Sequence, residues 1–179
     1  MKSISDKEII ERILNGNPEL FRLLVERYKG SVAGIIKGML GDCPEADDVG
    51  QETFIRFYNS LKDFRGDSTL KTYLTKIAMN LSLNELKKRK RYCNNTVSID
   101  SGVKINHEVE MSTSERTDEM EMIQNAIEKL EPRQKSVFIL RVVEGYSTIE
   151  TAKTLNIPLG TVLSRLSRAL EEMRKLVMR

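Results

Sequence analysis

Near the end of the 179-residue chain, Thr161, Ser164, Arg165 and Arg168 recur at i, i+3, i+4 and i+7. That spacing places side chains on one face of a helix. With Ser167 beside them, these are the residue types that hydrogen-bond base edges and hold phosphates. Val162, Leu166, Ala169, Leu170, Met173 and Val177 fall on the opposite side, as a buried stripe would. A solvated basic face on an ordinary amphipathic helix has the same periodicity. The residues upstream favour the nucleic-acid reading. Ser147 and Glu150 have the spacing of a capping box at the start of a short helix. The stretch Asn156-Ile-Pro-Leu-Gly160 then interrupts helical hydrogen bonding. A capped helix, a tight break and a second helix from near Gly160 toward Val177 make a helix-turn-helix, which places its second helix in the major groove of DNA.

Two further clusters could do binding chemistry. Lys87 to Arg91 is an unbroken run of five cations. Cations are favourable at a helix C-terminus, but five exceed what a cap requires, and such runs neutralise phosphates. Lys76, Asn80 and Lys87 share the polar side of the helix that leads into it. The second cluster is acidic. On a helix from about Pro44 to Leu61, the residues Ala46, Val49, Thr53, Phe57 and Leu61 mark the inner side. Asp47, Asp48, Gln51, Glu52, Ile55 and Tyr58 lie on the other. Acids around an Ile and a Tyr suit docking onto a basic protein surface with a small apolar centre. The same face would also serve as a plain solvated surface.

Charge is segregated along the chain although the net value is only +3. From Asp42 to Asp63 there are six acids against two bases, and from Lys71 to Arg91 seven bases against one acid. From Asn94 to Glu128 there are eight acids against two bases, and from Gly160 to Arg179 five bases against two acids. Two basic blocks separated by an acidic one imply two contacts with nucleic acid. Catalytic equipment is sparse: one histidine, His107, and two cysteines, Cys43 and Cys93, without a Cys-x-x-Cys partner. A zinc site or disulfide framework is not expected. There is no nucleophile elbow, phosphate-binding glycine loop or metal-ligand cluster, so no enzyme, metal, cofactor or small-molecule substrate is expected. No stretch approaches the roughly 18 apolar residues of a membrane span, and no targeting segment is visible. A cytoplasmic protein without membrane insertion is the expectation.

The elements that must position these residues are all helical. A capping box at Ser5 and Glu8 opens a short helix to about Asn15. Asn17-Pro18 is expected to cap a long helix with Leu20, Leu23, Leu24, Tyr28, Val32, Ile35, Ile36 and Met39 at steps of three or four. The Pro44–Leu61 helix follows. After a turn at Phe64–Ser68, with Asp67 or Ser68 as cap, a helix spans roughly Thr69 to Lys90, facing inward with Leu70, Tyr73, Leu74, Ile77 and Leu81. Residues from about Asn94 to Thr113 show no period and read as a flexible acidic linker containing a solvated His107. Helices over about Ser114–Leu130 and Pro132–Glu144 precede the helix-turn-helix, with Gly145 as the stop. The organisation is all-α: a first domain over 1–92, a linker over 93–113, and a second domain over 114–179.

Three stretches together resemble a known family. They are Asp47 to Arg56, Phe64 to Asn80, and Ile157 to Ala169. In order and spacing they are similar to the extracytoplasmic-function branch of sigma-70-like bacterial transcription initiation factors, over nearly the whole chain. The resemblance implies that Asp47, Asp48, Gln51, Glu52, Ile55 and Arg56 dock on the clamp coiled coil of core RNA polymerase. It implies that Phe64, Arg65, Tyr73, Lys76 and Asn80 recognise and melt the −10 element by extruding a base, with Lys87, Lys88 and Arg89 on nearby phosphates. Thr161, Ser164, Arg165, Ser167 and Arg168 would read the −35 element. Promoter DNA, core polymerase and an anti-sigma factor are the partners so implied.

The chain departs from the family pattern at four positions. Tyr73 stands where Trp is usual, and Gly50 where a larger apolar residue is usual. Thr151 replaces an Ile-like residue in the supporting helix, which should weaken its packing. Leu163 replaces an Arg or Lys on the reading helix, which puts a borrowed −35 consensus in doubt. A stand-alone helix-turn-helix regulator with an N-terminal sensor or dimerisation domain is the alternative. That reading leaves Phe64–Asn80 and the acidic face without a use.

Overall fold

The computed structural model describes residues 4–96 and 118–177. Their regular elements are helical: α1 (Asp6–Leu14), α2 (Phe21–Leu40), α3 (Pro44–Asn59), α4 (Leu70–Thr96), α5 (Asp118–Lys129), α6 (Pro132–Phe138), α7 (Thr148–Leu155) and α8 (Leu159–Val177). Short 3-10 turns at Pro18–Leu20 and Leu61–Asp63 precede α2 and follow α3, and α6 widens into a π-type turn at Ile139–Val143. There is no strand among the described residues. Of the linker expected over 93–113, residues 97–113 with His107 lie outside the described residues, as does the expected helix start at 114–117. Residues 93–96 continue α4 past both the helix end expected at Lys90 and the domain boundary at 92.

Several caps differ from the sequence expectation for local reasons. Ser5 accepts from the Glu8 amide at 3.2 Å, but the Glu8 carboxylate turns to Arg12 at 2.6 Å instead of closing the box. The Asn17 side chain reaches backward and donates to the Arg12 carbonyl at 3.2 Å. It thereby serves the end of α1, Pro18 opens a 3-10 turn, and the long helix begins only at Phe21. Leu23, expected on the apolar stripe, is exposed. The α3 helix stops at Asn59, and Leu61 is buried from the following 3-10 turn. At the start of α4 the cap is Thr69, whose hydroxyl accepts from the Thr72 amide at 3.2 Å, in place of Asp67 or Ser68.

Helices α2, α3 and α4 pack as one layer around Leu24, Ile35, Ile36, Met39, Phe57, Leu74 and Met79, with α1 against α2. Two buried hydroxyls are accommodated within their own helices: Thr53 donates to the Val49 carbonyl at 2.7 Å and Ser82 to the Ala78 carbonyl at 2.8 Å. Helix α4 buries more than the expected face, because Thr75, Ala78, Met79 and Ser82 are also inside. At Thr75 that extra burial comes from the second half of the chain. Thr75 and Tyr146 hydroxyls lie 2.8 Å apart, and the Lys71 ammonium sits 5.6 Å from the centre of the Tyr146 ring. Ile139 rests on Gly38 so closely that a Cβ there would lie 2.9 Å from its Cδ1. Lys135, buried, donates to the Met39 carbonyl at 3.2 Å, and Arg89 to the Leu40 carbonyl at 3.3 Å. Both cations thus satisfy carbonyls left open at the end of α2. Burial holds the Lys135 amine below its ordinary pKa. A single apolar core therefore runs from Ile9 to Met173 across both helical units, beside a small cluster of Val137, Ala152 and Val162.

Candidate nucleic-acid interface

The helix-turn-helix forms from the signals that announced it. Ser147 accepts from the Glu150 amide at 3.2 Å, and the Glu150 carboxylate accepts from the Ser147 amide at 2.8 Å. These bonds from Ser147 hold the Glu150 carboxyl below the usual carboxylate range. Helix α7 ends at Asn156 in the left-handed region, φ 53°. Asparagine tolerates that conformation better than most residues. The Pro158 carbonyl then accepts from the Thr161 and Val162 amides at 3.0 and 3.2 Å, which starts α8. Val137, Ala152 and Val162 pin α6, α7 and α8 together. Thr151 is fully buried in this support, and its hydroxyl has no hydrogen-bond partner among the described residues. The suspected weak point is therefore a buried polar group without compensation.

Helix α8 turns three of its five candidate reading residues outward. Ser164, Ser167 and Arg168 are exposed, and Thr161 and Arg165 are half-buried. Ser164 donates to the Thr161 carbonyl at 3.1 Å, leaving its oxygen as an acceptor. No ion pair among the described residues engages Arg165 or Arg168. The buried stripe is narrower than its periodicity suggests. Val162, Ala169 and Met173 are buried and Leu166 and Val177 half-buried, but Leu170 is 48% exposed. It shares an uncovered flank with Leu159 and Leu163, since α5, α6 and α7 pack on the other side of α8.

The segment from Phe64 to Asn80 is built around an aromatic cluster. The Phe64 and Tyr73 rings meet edge-on at 5.1 Å, and both stand against Phe57, at 6.2 and 6.0 Å. The Tyr73 hydroxyl donates to Ser60 at 3.0 Å. These contacts fix the loop to the helix, with Gly66 turning it at φ 76°. Arg65, Lys76 and Asn80 are exposed beside them. Further along α4, Lys87 and Lys88 are exposed, with Lys88 3.5 Å from Glu85. Arg89 is engaged within the fold. It pairs with Glu45 at 3.1 Å and Glu85 at 3.8 Å and donates to Cys43 Sγ at 2.9 Å, besides its bond to Leu40. It ties α4 to the α2–α3 corner, a role that nothing in the basic run itself signals.

On α3 the two faces divide as the periodicity requires. Ala46, Val49, Thr53 and Phe57 are buried, while Asp47, Asp48, Gln51 and Arg56 are exposed. Glu52 is half-buried and pairs with Arg56 at 2.7 Å. Ile55 is 54% exposed, and Tyr58 leans edge-on against Phe21 at 4.9 Å with much of its ring in solvent. The result is an acidic surface with an apolar centre, held on a rigid helix. Among the described residues no group of three or more histidine, cysteine, aspartate or glutamate side chains could hold a metal, and no helix is long and apolar enough to cross a membrane.

Comparison with known proteins gives the family. Residues 24–92 match the family model "Sigma-70 region 2" and residues 120–173 match "Sigma-70, region 4". The chain is 34% identical over 178 residues to the RNA polymerase sigma-H factor of Pseudomonas aeruginosa, covering 95% of this chain and 92% of that one. It is 30% identical to the ECF RNA polymerase sigma factor SigW of Bacillus subtilis, covering 94% and 95%. The chain belongs to the ECF sigma factors of RNA polymerase. The fold agrees. CnrH, solved in complex with the cytosolic domain of CnrY, superposes with a TM-score of 0.69 at 22% identity over 97% of both chains. RpoE of Bartonella quintana, solved with the anti-sigma factor NepR, gives 0.68 at 20% identity over 88% of this chain and 96% of that one. In the sigma factor described here, the region 2 match contains the acidic face of α3, the aromatic cluster and the basic end of α4 short of its last turn. The region 4 match contains the helix-turn-helix with every assigned reading residue.

Proposed function

We propose that this sigma factor docks on core RNA polymerase through Asp47, Asp48, Gln51, Glu52, Ile55 and Arg56, and directs it to promoters with two separate DNA contacts. Thr161, Ser164, Arg165, Ser167 and Arg168 of α8 read the −35 element. Phe64, Arg65, Tyr73, Lys76 and Asn80 engage the −10 element and stabilise its open form, while Lys87 and Lys88 hold phosphates. Arg89 acts mainly by bracing α4 against α2 and α3. Residues 1–92 and 114–179 are the working units, joined by 93–113. The sigma factor makes no bond itself; the polymerase does. Its place of action is the cytoplasm, and an anti-sigma factor is a further partner.

The observation that carries this reading is the coexistence of two surfaces of opposite character on one fold. An exposed acidic face with an apolar centre lies on α3, and on α8 lie an exposed Arg168 and a half-buried Arg165, neither of them in an ion pair among the described residues. The first suits a basic protein and the second suits DNA. Extruding a base costs a few kcal/mol, about what stacking and edge contacts can return, so a rigid aromatic platform beside exposed Lys76 and Asn80 fits strand opening. The test is run-off transcription with purified core polymerase on a randomised promoter library. Transcripts should depend on the sigma factor and enrich paired −35 and −10 sequences. An absence of sigma-dependent transcripts would reject the proposal.

A further inference from the structure

We infer that Leu163 is a specificity-determining residue that reads the 5-methyl group of a thymine in the −35 element. This rests on the proposed reading of α8 as the −35 helix. Leu163 is 57% exposed, and on a helix it adjoins Leu159 at i−4, Gly160 at i−3 and Ser167 at i+4. Leu159 is 49% exposed on the same flank. The two leucines therefore form an apolar spot bordering the polar reading face, next to Ser164 and Ser167.

Three observations favour DNA as what covers this spot. First, it lies in the opening turns of α8, and in a helix-turn-helix the N-terminal residues of the second helix are those that meet base edges. Second, a Cβ placed on Gly160 would meet nothing within 4 Å, and its φ is not in the left-handed region. Nothing within this fold requires a glycine there, although glycine costs helix stability relative to alanine. A bare first turn lets the helix approach its target closely, which a leucine needs more than a long cation does. Third, the adjoining polar side chains, Ser164 and Ser167, are exposed hydroxyls, a group that bonds bases and phosphates. Among the major-groove edges of the four bases, the apolar group is the thymine 5-methyl. An Arg or Lys at this position would bond a guanine edge or a phosphate; leucine exchanges that for a methyl contact.

The test uses the full-length sigma factor with core polymerase and a promoter duplex recovered from the randomised library. Each thymine of the −35 element, on either strand, is replaced in turn by deoxyuridine, which lacks only the methyl. Wild type should lose about three- to fivefold in affinity at one position, the scale of one apolar methyl withdrawn from contact. Leu163→Ala should lose a similar factor on the thymine duplex and nothing more with deoxyuridine there. Gly160→Ala should melt at the same or a higher temperature yet bind the duplex more weakly. Wild type indifferent to every deoxyuridine, or a Leu163→Ala variant that keeps the full methyl penalty, would overturn the inference and leave α8 as the −35 helix. So would a selected element without A·T pairs, or a Leu163→Ala defect in binding core polymerase without DNA. Binding insensitive to the entire −35 sequence would overturn the promoter reading of α8 as well.

Discussion

Single side chains decide several properties of this sigma factor. Thr53 and Ser82 return their buried hydroxyls to carbonyls one turn earlier, whereas Thr151 and Thr154 have no partner for theirs among the described residues. An unpaired buried hydroxyl costs roughly 1–3 kcal/mol. Thr151→Val keeps the shape and removes the polar atom, so it should stabilise the fold by about 1 kcal/mol, measured by denaturant unfolding. Tyr28 behaves differently. Burial, and then its bond to the Asp6 carboxylate, push its pKa from 10.0 up to about 12. The neutral phenol is thus favoured in the fold, and the unfolded chain releases the proton first as pH rises. The advantage of wild type over Tyr28→Phe should be constant below pH 10 and shrink between 10 and about 12, followed by unfolding at stepped pH. The family resemblance, with an Ile-like residue usual at that position, was enough to flag Thr151. The residue types said nothing of the Tyr28–Asp6 pair, whose members lie 22 positions apart on different helices.

At the scale of elements, periodicity was informative wherever one side of a helix is covered. The inner and outer residues of α3 follow it throughout, because α2 and α4 pack on a single face of that helix. Its outer face can therefore be changed without touching the core. Asp48→Arg combined with Glu52→Arg should leave circular dichroism and melting nearly unchanged and lower affinity for core polymerase at least tenfold in a pull-down titration. Retained affinity would remove α3 from the docking role. On α8 the stripe was overdrawn at Leu170, because periodicity counts apolar residues but does not know how wide the covering surface is. Boundaries shifted for a related reason. At the start of α4 Asp67, Ser68 and Thr69 could each cap, and the choice depended on which side chain reached the Thr72 amide after folding, while Asn17 turned back to a carbonyl of α1.

Across the whole molecule, the two units share one core through Gly38 against Ile139, Thr75 with Tyr146, and Lys135 on the end of α2. Gly38 has no room for a side chain, so Gly38→Leu should force Ile139 away at a cost of about 1–3 kcal/mol. Calorimetry should then show a lower melting temperature and a transition that broadens or splits as the halves uncouple; an unchanged single transition would mean that the contact carries no coupling. By itself the sequence determined the helices, their polar and apolar faces, the capping box at Ser147, and the segregation of acidic and basic surfaces. These follow from short-range spacing and from charges that stay in solvent wherever the helix is placed. The tertiary structure alone decided that α4 is buried on a second side, that Arg89 is a brace while Lys87 stays exposed, and that Leu163 faces outward beside Gly160. Each of these depends on what packs against a helix from elsewhere in the chain, and local spacing carries no record of that.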